Sequence, residues 1–230
     1  VWRQISPWLL MLAFALLVLV LVPGVGRVVN GSQRWIPLAG FTLQPSEFAK
    51  FALVLWLSGY MVRHGEELRT VLRGLLKPIL VLILFALLLL SEPDFGATVI
   101  ILGTAFGMLF MGGARLIYVL GLVVSAVAIM AGMILMAPYR MQRLMAYQDP
   151  WSDPFGSGFQ LIQSLIAYGR GEWLGVGLGN SVQKLFYLPE AHTDFVFSIW
   201  AEETGLVGAV AVIILFAVFV GRIVFMGYRF

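Results

Sequence analysis

The sequence predicts an all-α fold: a polytopic transmembrane helical bundle with a large external loop containing short interfacial helices. Two observations carry that expectation. Of 230 residues, 60% are hydrophobic and only 12% are charged, and the mean hydropathy of +0.94 lies far above that of a soluble domain. The apolar residues also gather into six runs close to the ~20 residues needed to cross ~30 Å of hydrocarbon. These runs are 5–22, 44–62, 75–90, 95–111, 116–136 and 195–220. Each is expected to be helical, because lipid offers a spanning backbone no hydrogen-bond partner but itself.

Taken in order, the first run needs no cap to be read as a span. The second opens with QPSEFAK, where Pro45 suits a first helical turn and Glu47 suits its dipole. The third and fourth are short and separated only by SEPDFG, so two tilted spans are expected, with a re-entrant hairpin as the alternative. The fifth is followed by a loop over 137–194, and the sixth carries Glu202 and Glu203 inside apolar sequence. The whole is read as one membrane domain over 1–230, and its start at Val1 and end beside a span lead us to expect a fragment.

Charge sets the expected orientation. Arg3, Arg63, Arg69, Arg73, Lys77, Arg115, Arg222 and Arg229 fall at the chain start, the loops after spans two and four, and the chain end. The excess of basic residues assigns those segments to the cytoplasm and the 137–194 loop to the outside. In that loop, FQLIQSLIAYG sets Gln160, Gln163 and Ser164 on one side of an otherwise apolar helix. It either lies in the outer interface or packs on the bundle. The following GVGLGNS lacks the strand-turn-helix context of a nucleotide loop and is read as a tight turn. The absence of cysteine excludes disulfides, thiolate metal sites and cysteine nucleophiles.

Threaded this way, polar residues converge on the outer ends of spans. Gln44, Glu47 and Lys50 lie in the first turns of span two, Arg34 and Trp35 just before it, Glu92 and Asp94 between spans three and four, and Asp194 before span six. Glu202 and Glu203 follow Asp194 in the same run and are expected roughly 12–14 Å deeper at 1.5 Å per residue. They stand 100° apart, so at most one is expected to face the side of Asp194. Ionisable groups at such depth normally face a cavity or a partner. Ordinary structural roles compete for each residue. Glu47 and Lys50 could form a simple i, i+3 pair, Asp194 could be a helix cap, and Arg34 and Trp35 could be interfacial anchors. His192 could ligate a metal, but the only other histidine is His64 on the opposite side, which disfavours a histidine zinc site. The pattern suits a substrate with a polar head and a lipid tail.

Two stretches, NGSQRWIPLAGFTLQPSEFAK and GLGNSVQKLFYLPEAHTDFVFSIWAEETG, resemble the SEDS family of cell-wall glycosyltransferases, the family of RodA and FtsW, and the likeness extends over essentially the whole chain. GNSVQKL before LPEAHTDF, and Thr42, lean toward the division-type branch over the elongation-type one. The resemblance implies a ten-span protein of which this chain covers spans three to eight. It further implies polymerisation of lipid II into peptidoglycan strands at the outer face of the bacterial cytoplasmic membrane, at the division septum. On that reading Asp194 matches the family's essential aspartate, Glu47 and Lys50 its QPSExAK pair, and Trp35 its tryptophan. Asp194 is expected to act as general base. Lys50, Arg34, Arg140, Arg143 and Lys184 are candidate cations for the leaving diphosphate, with Mg2+ or Mn2+ as a possible addition. Gln44, Glu190, His192 and Glu202 complete the supporting set. Implied partners are membrane lipid, lipid II, a class B penicillin-binding protein (FtsI) and the FtsQ, FtsL and FtsB regulators, with no nucleic acid. The competing classes are a lipid II flippase, an ion-coupled transporter and a non-catalytic division scaffold.

Overall fold

The computed structural model describes residues 2–29, 32–38, 41–70, 73–188 and 193–229. The chain forms two compact units, 1–131 and 132–230.

The first unit contains α1 (Trp2–Leu21), β1 (Arg27–Val29), β2 (Ser32–Leu38), β3 (Phe41–Leu43), α2 (Pro45–Arg63), α3 (Gly65–Thr70), α4 (Arg73–Ser91) and α5 (Phe95–Met111). The next helix, α6 (Leu116–Leu135), runs on into the second unit. On α2 the buried residues Ala49, Ala52, Leu53, Leu57 and Tyr60 recur at helical spacing and form one face. They share a core with Ala13 and Leu17 of α1, Phe85 and Leu89 of α4, and Ile101, Ala105 and Leu109 of α5. The alanines on α1, α2 and α5 let helix backbones approach closely, which is how helices gain dispersion contacts where lipid removes the usual hydrophobic drive.

One end of this unit is basic. There Arg63 Nη1 donates to the Arg3 carbonyl at 3.4 Å, Arg115 Nε to the Arg69 carbonyl at 3.2 Å, and Tyr60 Oη to the Gly74 carbonyl at 2.7 Å. The opposite end holds the strands, the start of α2 and the α4–α5 turn.

The strands form an antiparallel sheet in the order β1-β2-β3, with Arg27 opposite Trp35 and Ile36 opposite Leu43. This sheet is an addition to the all-α fold expected from the sequence. Its segments RVV, SQRWIPL and FTL hold the β-branched and aromatic residues that suit a pleated surface.

The second unit contains α7 (Pro138–Gln148), a 3-10 turn (Pro150–Ser152), α8 (Phe159–Gly171), a π-helical turn (Gln183–Tyr187) and α9 (Val196–Arg229). Of the two placements considered for α8, the structure has it packed on α9. Tyr168 and Phe197 rings lie 6.3 Å apart, and Gly171 approaches so closely that a Cβ there would meet the Ala201 carbonyl oxygen at 2.1 Å.

The expectation of one continuous sixth span is corrected here. α9 breaks at Gly205, whose φ of 67° and ψ of −167° leave the helical region. The break frees backbone groups, and the glycine-rich loop closes them. Val176 and Gly177 donate to the carbonyls of Glu202 and Glu203 at 3.0 and 3.1 Å, while Leu206 and Val207 donate to those of Glu172 and Trp173 at 2.9 and 3.2 Å. A helix interruption is tolerated in an apolar setting when neighbouring segments re-satisfy it in this way. GVGLGNS is therefore a docking turn, with Gly175, Gly177 and Gly179 all at positive φ.

Among the described residues, four helices are long and apolar enough to cross a membrane, spanning Trp2–Leu21, Gly74–Ser91, Leu116–Leu135 and Val196–Gly227, and Phe95–Met111 is a shorter apolar helix. α2 differs by bearing Glu47 and Lys50 in its opening turns.

Candidate active site

At the non-basic end of the first unit, the sequence dictates a cation at the head of an apolar helix. Pro45 fixes the first turn of α2, Gln44 Nε2 donates to Ser46 Oγ at 3.0 Å, and Lys50 follows one turn on. Lys50 Nζ donates to Glu47 Oε1 at 2.7 Å. An ammonium has three donors, so this pair leaves two for a ligand.

Arg34 is committed differently. From β2 its guanidinium donates to the Glu92 carbonyl at 3.3 Å and to the Pro93 carbonyl, and it lies 3.8 Å from Asp94 Oδ1. Asp94 in turn caps α5 by accepting from the Ala97 amide at 3.1 Å. Arg34 thus ties the sheet to the α4–α5 turn, and Trp35 beside it is half-buried.

Within that turn Glu92 is fully buried, and neither carboxyl oxygen has a hydrogen-bond partner among the described residues. Burial foremost, then the Asp94 charge, pushes its pKa up to about 8 against the opposing pull of Arg34. Glu92 is therefore a neutral acid at pH 7.

In the second unit, Asp194 is exposed in the turn that leads into α9. Glu190 and His192 lie outside the described residues, as does the side chain of Arg143. Arg140 on α7 donates to the Met133 carbonyl at 3.1 Å and to Tyr139 Oη at 2.9 Å. Lys184 Nζ pairs with Glu203 Oε1 at 2.7 Å.

Glu202 and Glu203, although 100° apart on the helix, both reach the turn at 181–184. The fully buried Glu202 carboxylate accepts from Ser181 Oγ, the Val182 amide at 3.2 Å and the Gln183 amide at 3.3 Å, with Arg170 at 3.7 Å. Glu203 accepts from the Ser181 amide at 3.4 Å as well as from Lys184. The 100° offset is overcome because the loop wraps the helix end, so both side chains reach the same turn.

Ser181, Arg170 and Gly205 went unread in the sequence. Gly205 after Glu-Glu-Thr had a signal, since glycine following polar residues in an apolar run marks a helix stop. Ser181 and Arg170 had none, because their role depends on contacts distant in sequence.

Membrane-crossing helices, with ionisable groups at their ends and at the break, define a multi-pass membrane protein. The chain belongs to the FtsW/RodA/SpoVE family, described as cell cycle protein, which matches residues 1–230.

Among its relatives, the probable peptidoglycan glycosyltransferase FtsW of Nitrosococcus halophilus is 56% identical over 226 residues, covering 98% of this chain and 58% of that protein. The protein of the same name in Marinomonas mediterranea is 56% identical over 230 residues, covering 99% and 57%. The chain thus spans a little over half the length of the relatives it matches. Among solved structures, a chain from work on the structural coordination of polymerization and crosslinking by a peptidoglycan synthase complex matches with TM-score 0.72 at 32% identity, over 96% of this chain and 60% of that one. The rod shape determining protein RodA of Thermus thermophilus matches with TM-score 0.59 at 29% identity, over 96% and 55%.

Proposed function

We propose that this chain belongs to a peptidoglycan glycosyltransferase that polymerises lipid II at the outer face of the bacterial cytoplasmic membrane during cell division. The observation that carries the reading is the 56% identity to proteins named FtsW over nearly the whole chain. The basic end of the first unit supports a cytoplasmic placement for that end, leaving the sheet, the head of α2 and the α4–α5 turn outside.

Transfer from an α-linked lipid diphosphate to a β-1,4 link inverts the anomeric carbon, so one displacement suffices and no protein nucleophile is required. The acceptor 4-hydroxyl attacks the anomeric carbon, its proton passes to the Asp194 carboxylate, and the C–O bond to the diphosphate breaks. A positioned general base of this kind contributes about 10²- to 10⁴-fold in rate. Asp194 suits the role because it is exposed where the external loop meets α9.

Charge on the departing diphosphate calls for preorganised cations. Lys50 is the best placed of the candidates, because Glu47 orients its ammonium while two donors remain. Arg34, Arg140 and Lys184 already serve backbone carbonyls, a tyrosine hydroxyl or carboxylates. Trp35 offers a flat apolar surface for a sugar or the lipid stem. Mg2+ or Mn2+ remains an addition to this reading. Among the described residues no three carboxylate, imidazole or thiolate side chains gather as a ligand set, so no step is routed through an ion. The likeness to a chain from a peptidoglycan synthase complex that coordinates polymerization and crosslinking supports a class B penicillin-binding protein as partner; FtsI in the division branch, with FtsQ, FtsL and FtsB, extends that proposal by family resemblance alone.

The break in α9 favours a lipid II flippase or a transporter, because such proteins place interrupted helices at their binding sites. Its freed amides and carbonyls are, however, closed by residues 172–177 and do not face a cargo. The deciding experiment is lipid II polymerisation by the full-length protein with its partner, scored as labelled glycan strands against translocated lipid. Asp194→Asn is expected to fold, bind its partner and lose polymerisation. A near wild-type rate in that variant would remove the base.

A further inference from the structure

Resting on the Asp194 reading, we propose that Glu202 is a positioning residue: its carboxylate clamps the returning external loop at 181–184 onto the first half of α9 and so fixes the segment that leads into Asp194.

A carboxylate inside an apolar helix is costly unless its lone pairs are taken. Those of Glu202 are taken by one turn of chain, through Ser181 Oγ and the Val182 and Gln183 amides, with Arg170 supplying the opposing charge. The side chain is wholly buried. It therefore has no exposed surface with which to touch a substrate. Glu203 reinforces the hold from the adjacent position, on the Ser181 amide and Lys184 Nζ.

Below the clamp, residues 172–177 dock on the broken helix through four backbone hydrogen bonds. The loop is thus fastened to α9 from Glu172 to Lys184, while Val196 begins the same helix. Residues 185–188 leave the fastened turn and residues 193–195 lead back into the same helix, so the range open to this returning segment depends on the fastened end. Asp194 lies in that segment. Opening the clamp frees one end, and a misplacement of about 1 Å at a reacting group can cost on the order of 10²-fold in rate.

The test uses the full-length protein with its partner and lipid II. Glu202→Gln replaces one of the two acceptor oxygens by an amide donor that faces the Val182 or the Gln183 amide, so one side of the clamp opens while the side-chain volume is kept. The turnover number kcat is expected to fall about 10- to 100-fold, with KM for lipid II within about twofold of wild type. Amide hydrogen exchange over 185–195 is expected to quicken while that of α5 stays unchanged. Ser181→Ala removes one donor and should move kcat and exchange in the same direction by less. The double variant should be no slower than Glu202→Gln alone, because both act on one contact.

Wild-type kcat in Glu202→Gln overturns the proposal, as does unchanged exchange over 185–195. A raised KM with kcat intact overturns it too, by showing that Glu202 contacts lipid II. Should Glu202→Gln fail to accumulate, Ser181→Ala decides alone, and wild-type kcat with unchanged exchange then sinks the clamp. Asp194→Asn at wild-type rate ends the base reading and the positioning role with it, while the exchange data still report whether the clamp exists.

Discussion

The Arg34 guanidinium lies 3.8 Å from the Asp94 carboxylate, which joins the middle strand of the sheet to the turn that starts α5. The same side chain donates to the carbonyls of Glu92 and Pro93, so one residue satisfies two carbonyls of a tight turn between two apolar helices and pairs with the turn's carboxylate.

Arg34→Ala should therefore lower the unfolding free energy by about 1–3 kcal/mol, the usual cost of orphaning buried acceptors. Arg34→Lys should recover only part of it, because an ammonium lacks the planar fork that spans several oxygens. Chemical unfolding of the purified protein in detergent measures both. Wild-type stability in the alanine variant would show that the turn holds without the strand.

Glu92 gives the protein a pH dependence of definite sign. Its folded pKa is raised from 4.5 to about 8 by burial, then by Asp94, against Arg34. Folding consequently takes up a proton between those two values. The contribution is fully present below pH 4.5, is lost as pH rises toward 8, and is flat beyond. Glu92→Gln mimics the neutral acid, so it should abolish that slope and match or exceed wild-type stability at pH 8. Thermal unfolding of both proteins across pH 5–9 checks this, and parallel curves would mean that Glu92 is ionised in the fold.

The long helices were legible because a membrane segment is specified by local composition, and runs such as 116–136 carry nothing else. The sheet was less so, since its strands are short and lie between spans that dominate the pattern. The Asn30-Gly31 dipeptide, a hairpin signal, was the readable clue. The break at Gly205 went unread because the long apolar run after it lets the segment pass for one span, despite the polar Glu202, Glu203 and Thr204 before it. Least legible was the turn around Glu202. Spacing alone gives the angle between Glu202 and Glu203 on a helix, but not that a loop from some twenty residues earlier wraps around to meet both. Asp194, Glu47 and Lys50 were singled out because they stand in long motifs, whereas the contacts of Ser181 and Arg170 with Glu202 depend on the fold.

Gly205 and Gly175 test the docking of loop on helix. Both have positive φ, and a Cβ would lie 2.4 Å from the Gly175 nitrogen in the first case and 2.2 Å from the Glu203 carbonyl oxygen in the second. Either alanine substitution should cost at least ~1–3 kcal/mol, the range for a strained backbone, before the steric clash is counted. Gly221, on the same helix, has open space around it, with nothing within 4 Å of where a Cβ would sit. Gly221→Ala should therefore leave stability unchanged or raise it by up to ~1 kcal/mol. Thermal unfolding of the three variants separates local crowding from a general dislike of added methyl groups, and equal losses in all three would refute the docking.

Lys50 and Glu47 allow stability and activity to be separated. Their side chains are 25% and 61% exposed, so the pair should contribute no more than ~0.5 kcal/mol to folding, as exposed i, i+3 pairs do. Lys50→Ala and Glu47→Gln should therefore unfold within that margin of wild type. If the ammonium stabilises a departing diphosphate, Lys50→Ala should still lose ~10²-fold or more in polymerisation, the scale for a single preorganised charge. Lys50→Arg should retain more activity than Lys50→Ala, because the charge survives although its shape changes. Glu47→Gln should fall between, since it leaves the cation but loosens its orientation. Measured together, unfolding and strand synthesis give opposite answers for the two roles: a helix-stabilising pair loses stability and activity in proportion, whereas a substrate-facing cation loses activity alone. Equal polymerisation by Lys50→Ala and Lys50→Arg would show that the charge is dispensable and would return the pair to an ordinary place in the first turns of α2.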